Sequence, residues 1–242
     1  MYFSLITPAP GAEREAAMQW AKSPYDDHQW LWRFLAAAPG TARDFLFRRR
    51  DGEGSMPGFY VVSTRKPQSF SDAWQAQSRD YDPQLHDGQR LVFELRVNPV
   101  VTHKVDGRSR RDDVVMHEKM RLLTSRSFKR WADWPDTDET KPVLYELVQE
   151  SCLRWLECRA ERAGFHVSSR ERHEEDGDRL VKSVRVDGYA QHRDEHKGIR
   201  FSTVDFTGEL EITDAIAFHK SLLQGIGPAK AFGCGLLLVR RL

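Results

Sequence analysis

The segment RLVFELRVNP (90–99) sets Leu91, Phe93, Leu95 and Val97 on one side of the chain and polar residues between them. Such strict alternation is the period of a strand with one buried face. The downstream sequence limits how that strand can be used. VLYELVQESCLRWLECRAERAG (143–164) repeats Leu144, Leu147, Val148, Cys152, Trp155 and Leu156 at helical spacing. Strand-like runs return at 165–170, 180–187 and 199–212, and in the last Val204, Phe206, Leu210 and Ile212 share a face. Thr213 or Asp214 then caps a helix over 215–224, and LLLVRR (236–241) closes as a strand. The order β-α-β-β-α-β is that of a ferredoxin-like unit.

The first half reads as a shortened version. YFSLIT (2–7) is a strand, and SPYDDHQWLWRFLAAA (23–38) reads as a helix. Ser23 is its N-cap, Pro24 its first residue, Asp26 and Asp27 its acidic first turn, and Gly40 its stop. Leu31, Phe34, Leu35 and Ala38 mark its buried side. RDFLFRRR (43–50) and GFYVVSTR (58–65) are strands, and SFSDAWQAQS (69–78) reads as a short helix, leaving little room for a last strand. The expected fold is α+β: two tandem ferredoxin-like (RRM-like) domains, 1–88 and 89–242, the second carrying a basic segment and a C-terminal glycine-rich loop. That fold serves many unrelated functions.

Of the 242 residues, 40% are hydrophobic and 30% charged, as in an ordinary globular protein. No apolar run approaches the roughly 20 residues of a membrane span. MYFSLITPAPG lacks the basic start of a signal peptide, and Cys152, Cys158 and Cys234 form no C-x-x-C pair, so a reducing cytoplasm is expected. Net charge is +1, but it is segregated. Residues 101–130 hold nine Lys/Arg against four Asp/Glu, and residues 131–161 eight acids against three bases. The basic segment, read as loop with some helix, is either a polyanion footprint or a solvated charged loop.

GIGPAKAFGCG (225–235) joins the last helix to the last strand. It is no Walker A loop, because Lys230 is followed by Ala231, and no dinucleotide fingerprint, because Lys230 stands where the third glycine belongs. Gly225, Gly227, Gly233 and Gly235 let backbone approach a phosphate, with Lys230 as a point charge. They also suit a tight connector packing helix against strand.

The tail FTGELEITDAIAFHKSLLQGIGPAKAFGCGLLLVRRL resembles that of the CasE family, the CRISPR repeat-RNA endoribonucleases of type I-E systems. MYFSLI at the start, Y-x-x-H at Tyr25 and His28, ARDFLFR at 42–48 and FELRVNPVVTHK at 93–104 extend the resemblance. It is weakest at 122–141, which reads as an insertion, and at 170–198. The resemblance implies two ferredoxin-like domains and cleavage of repeat RNA on the 3′ side of a stem-loop, with no metal and no cofactor. The 2′-hydroxyl attacks the adjacent phosphate and leaves a 2′,3′-cyclic end. It further implies that the protein, a monomer when free, stays on the crRNA hairpin as a subunit of a surveillance complex.

The resemblance makes His28 the catalytic group and Tyr25 its companion. Tyr25 and His28 share a helix face at i and i+3, and a nearby helix N-terminus would keep the imidazole neutral. The plainer reading is a histidine bordering the Leu31/Phe34/Leu35 core. His219, near the glycine loop, is the reserve base. Lys104, Arg108, Arg110 and Arg111 are the next candidates for RNA phosphates, at a spacing that suits a groove-tracking loop, and Gly225, Gly227, Lys230 and Gly233 are expected to touch the same RNA. Arg170 and Arg172 either reach a groove or are solvated. HRDEH (192–196) reads as a solvated loop rather than a metal pair, and no carboxylate cluster suits two-metal chemistry.

Overall fold

The computed structural model describes residues 1–20, 24–38, 40–50, 56–105, 107–174, 177–194 and 198–242. The first unit contains β1 (Tyr2–Pro8), α1 (Glu13–Gln19), α2 (Pro24–Leu31), β2 (Phe45–Arg50), β3 (Gly58–Ser63) and β4 (Trp74–Asp80). Its antiparallel sheet has the order β2-β3-β1-β4. One face buries Ile6, Phe45, Phe47, Phe59 and Val61 against Trp30, Leu31, Phe34 and Leu35.

The structure corrects two expectations in this unit. Residues 69–78 form no helix: β4 runs beside β1 from Tyr2↔Asp80 to Pro8↔Trp74. Its Ala and Gln residues favour a helix locally, but the open edge of β1 and the burial of Trp74 decide otherwise. The unit therefore has the fourth strand of the ferredoxin-like order and lacks the second helix. The helix expected over 23–38 ends at Leu31 and passes into a 3₁₀ turn, Trp32–Phe34. The packing of Phe34 and Leu35 is kept, whereas Ala38 is exposed. Ser23, the expected N-cap, lies outside the described residues.

The second unit starts with β5 (Arg90–Val97), then a hairpin of β6 (Val100–Val105) and β7 (Arg108–Asp113) that runs straight into α3 (Val114–Ser125). The part of the basic segment read as loop is thus a two-stranded ribbon, the part read as helix is α3, and Asp113 caps α3 by accepting from the N–H groups of Val115 and Met116, each at 2.9 Å. After α3, Trp134 is buried and stacks on Phe128, while its indole N–H donates to Asp138, so residues 122–141 are folded on themselves.

The rest is α4 (Leu144–Ala160), β8 (Phe165–Val167), β9 (Ser169–Glu174), β10 (Gly177–Lys182), β11 (Val184–Asp194), β12 (Ile199–Ile212), α5 (Ala215–Gln224) and β13 (Leu237–Arg241). The main sheet has the order β11-β12-β5-β13. β8 pairs with Leu210–Ile212 and β11 with 199–208, so both follow one edge of β12. The β9–β10 hairpin leaves that edge between them, and the Ser183 N–H closes its base on the Ser168 carbonyl at 2.8 Å. The core joins Phe93, Leu95, Phe206 and Leu210 to Cys152, Leu156, Phe218 and Leu222. No described helix is long and apolar enough to cross a membrane.

The two units meet through the other face of the first sheet. Leu46 and Val62 pack on Leu236 just before β13. Arg96 forks onto Asp205 at 2.9 and 2.8 Å, and Arg48 reaches across from β2 to the same carboxylate at 3.6 Å.

Candidate active site and nucleic-acid interface

His28 lies in the last turn of the eight-residue α2. Its ring stacks on Phe45 at 5.5 Å, nears Phe47 at 6.4 Å, and meets the edge of Trp32 at 6.1 Å. The alternation of β2 puts Phe45 and Phe47 on the face that α2 covers, while Leu46 turns to the second unit. His28 Nε2 is buried with no hydrogen-bond partner among the described residues. Two residues flanking the site hold α2 in place: the Trp20 indole donates to buried Asp27 at 3.1 Å, and the Trp30 indole donates to the Gln19 carbonyl at 3.1 Å.

Burial pushes the His28 pKa below that of an ordinary imidazole, and the positive charge of Arg43 acts in the same direction. The expected neutral ring has a different cause from the one read in the sequence. A helix dipole acts mainly within the terminal turn, and the last turn favours a cation. Desolvation and Arg43 are what keep His28 neutral. The side chain of Tyr25 lies outside the described residues.

The glycine loop meets this place. After Ala229, which takes a left-handed φ of 59°, a 3₁₀ turn over Lys230–Phe232 touches both α2 and β2. Lys230 is half-buried, and burial followed by Arg43 lowers its pKa. Arg43 is itself half-buried, and among the described residues neither it nor Lys230 has a carboxylate partner. Arg43 thus acts electrostatically on both His28 and Lys230, and two cations beside a neutral imidazole suit an anion. Arg43 was missed by sequence reasoning because nothing local to ARDFLFR says that it faces a loop almost 190 residues later.

The glycines serve the packing of this loop. A Cβ on Gly225 would stand 3.0 Å from both Leu46 methyl groups and 2.9 Å from the Gly235 carbonyl. One on Gly227 would meet the Trp155 ring at 3.2 Å, and one on Gly233 the Phe47 ring at 3.3 Å. All have positive φ. The N–H groups of Ile226 and Gly235 are already spent on the carbonyls of Gly235 and Arg96.

On the far side of the loop a groove of about 800 Å³ runs to the basic hairpin. Arg110 and Arg111 line it, with Arg193, Arg200, Pro228 and Ala229. Lys104, Arg108, Arg110 and Arg111 are all exposed on the hairpin, and Arg110 also donates to Asp112 at 2.9 Å. The groove wall holds a column of rings that sequence reading did not find: His192 on Phe201 at 4.7 Å, and Phe201 on Phe232 at 4.6 Å. His192 belongs to β11 rather than to a loop, and its Nε2 is 2.8 Å from the Thr203 hydroxyl. His196 lies outside the described residues. Arg170 is exposed on β9, the Arg172 side chain is outside the described residues, and His219 lies 3.9 Å from Asp82.

Residues 1–241 match the family model described as CRISPR associated protein. The chain is 29% identical over 228 residues to the CRISPR system Cascade subunit CasE of Escherichia coli K12, covering 91% of this chain and 94% of that one. It is 26% identical to the CRISPR-associated endoribonuclease Cse3 of Thermus thermophilus, covering 93% of each. The structure of Thermus thermophilus Cse3 bound to an RNA representing a pre-cleavage complex superposes with a TM-score of 0.65 at 23% identity, over 99% of this chain and 98% of that one. That likeness extends to both units, so the tandem ferredoxin-like architecture is common to the two proteins. By the match along its length and by its relatives, the chain belongs to the CRISPR-associated protein family, among the CasE proteins.

Proposed function

We propose that this chain is a metal-independent endoribonuclease that cuts CRISPR repeat RNA 3′ of its stem-loop and keeps the hairpin product as a subunit of a cytoplasmic type I-E surveillance complex. The observation that carries the catalytic part is the group around His28: a neutral imidazole with an Nε2 unpartnered among the described residues, beside Arg43 and Lys230. His28 takes the proton of the 2′-hydroxyl as that oxygen attacks the adjacent phosphorus. The bond to the 5′-oxygen breaks, this oxygen takes a proton from water, His28 returns its own proton to water, and a 2′,3′-cyclic phosphate remains. Arg43 and Lys230 lie where they can hold the charge that grows on the nonbridging oxygens, which is the strongest use of preset cations in a low-dielectric site. Tyr25 orients the same phosphate. A positioned general base contributes ~10²–10⁴-fold.

The groove holds the stem. Lys104, Arg108, Arg110 and Arg111 meet its phosphates, because an A-form helix offers shape, phosphates and 2′-hydroxyls more than base edges. Gly225, Gly227 and Gly233 fold the loop tightly onto Leu46, Trp155 and Phe47, and the loop so held presents Lys230 to the strand that reaches His28. CasE and Cse3, whose names tie them to Cascade and to endoribonuclease activity, support both parts.

The test uses wild type and His28→Ala with the host repeat hairpin, in EDTA, with analysis of the product ends. Wild type is expected to leave a 2′,3′-cyclic end, and the variant to bind the hairpin without cutting it. Full cleavage by His28→Ala removes the assignment and sends the search to His219. The burial of Nε2 favours a second reading, an RNA-binding subunit without activity, and tight binding with no cleavage by either protein would establish it.

A further inference from the structure

We propose that His103, Asp112 and His117 form a binding site for a divalent transition-metal ion of the zinc type, which ties the basic hairpin to α3. The site is separate from the His28 pocket and does not depend on the reaction proposed there. His103 stands on β6, Asp112 on β7 and His117 in the first helical turn after β7. In the hairpin register His103 faces Arg110 and Val101 faces Asp112, so His103 and Asp112 are diagonal neighbours on one face. Asp113 caps α3 and thereby turns the chain so that His117 comes back over the same face, its ring 5.3 Å from that of His103.

The donor atoms of the three residues all lie within 4.8 Å of one another. His103 Nε2 and Asp112 Oδ2 are 3.2 Å apart. With zinc–nitrogen and zinc–oxygen bonds near 2.0–2.2 Å, two ligands on a tetrahedron are separated by about 3.4 Å. One edge of the coordination figure is therefore already at its working length. His117 is exposed and has room to swing the remaining distance. Among the described residues His103 Nδ1 has no hydrogen-bond partner, so that side of the ring is not tied to another group. The other Asp112 oxygen accepts from Arg110 at 2.9 Å, the outer contact that commonly orients a ligating carboxylate.

Two imidazoles and one carboxylate select the class of ion. Magnesium and calcium take oxygen ligands, whereas zinc, cobalt and their neighbours accept mixed nitrogen and oxygen sets. Three protein ligands leave a position for water or an anion. Asp112 and His117 line the same groove as Arg110 and Arg111, so a bound ion would add charge to its floor and stiffen the hairpin that carries them.

The test needs no RNA, so its failure is distinct from failure of the nuclease reading. Tag-free, metal-stripped full-length protein is titrated with cobalt followed by visible absorption, and with zinc by calorimetry. One saturable equivalent is expected, undisturbed by millimolar magnesium. His117→Ala, an exposed site whose loss leaves the fold intact, should weaken binding by at least about tenfold, as should Asp112→Asn. His192→Ala, a histidine on the same groove outside the triad, should leave it unchanged. Absence of saturable binding, indifference to His117→Ala, or loss in His192→Ala overturns the proposal. Amide exchange over residues 100–113 should slow when zinc is added, and an unchanged rate would refute the stiffening.

Discussion

The Trp20 indole donates to the Asp27 carboxylate at 3.1 Å, and Asp27 is buried one residue before His28. The helix that carries His28 is only eight residues long, too short to be stable alone, so its position rests on such anchors. Asp27→Ala leaves the indole without its acceptor and should cost about 1–3 kcal/mol of stability. Thermal denaturation should show that loss, and single-turnover cleavage should slow although His28 is intact. Unchanged cleavage at a temperature where the variant is folded would mean that this anchor does not position His28.

Acid should inactivate this protein late. A base works in its neutral form, and the His28 pKa is lowered by burial and by Arg43. Falling pH therefore protonates His28 only below the ordinary imidazole value, and the acid limb of the rate profile lies there. Arg43→Gln removes one of the two causes, raises the pKa and should move that limb to higher pH, besides lowering the plateau. A limb that stays in place in Arg43→Gln would dissociate the titrating group from His28.

Gly225 and Gly107 make a controlled pair. Gly225 has φ 76° and ψ 160°, and a Cβ there meets Leu46 and the Gly235 carbonyl at about van der Waals overlap. Gly107 has φ 76° with nothing within 4 Å. Gly107→Ala should cost about 1 kcal/mol from backbone strain alone. Gly225→Ala adds overpacking of about 1–3 kcal/mol to strain of similar size. Denaturant titration should separate them clearly, and equal losses would show that the loop yields where the contact with Leu46 says it is tight.

RNA binding should divide into a salt-dependent and a salt-independent part. Arg110→Gln and Arg111→Gln should each lower the slope of log affinity against log salt by about 1. Phe201→Ala should weaken binding with the slope unchanged, by about 1–3 kcal/mol if one base stacks on the ring column. Filter binding over a salt series reads both, and a slope that Arg110→Gln and Arg111→Gln leave unaltered would take the hairpin out of the interface.

The second unit was legible because its periods are strong: Leu91 to Val97 alternate without a break, and the register beside β12 and β13 uses that alternation as read. WQAQS carries no such signal, since β4 is made by the edge of β1 and the burial of Trp74 and not by a period of its own. The hairpin was missed although its turn was written in the chain. Asp106-Gly107 sits between Val105 and Arg108, which pair across it, and Asp-Gly is a strong hairpin signal. The charges of RSRRDD hid it. His28 and the glycine loop were singled out through their motifs. Arg43 beside Lys230, and Phe201 beside Phe232, exist only where the two units or distant strands come together, which no local pattern records.

The short bond between Ser168 and Ser183 makes the β9–β10 hairpin a detour that ends where it began. β12 is served by β8 and β11 as by one continuous neighbour, and the excursion adds no residue to that pairing. Its length is consequently decoupled from the register of the main sheet. A fluorophore peptide, an affinity handle or a shorter turn could be spliced at its tip while the basic groove and the surroundings of His28 stay in place, which makes this arm the natural port for labelling the protein.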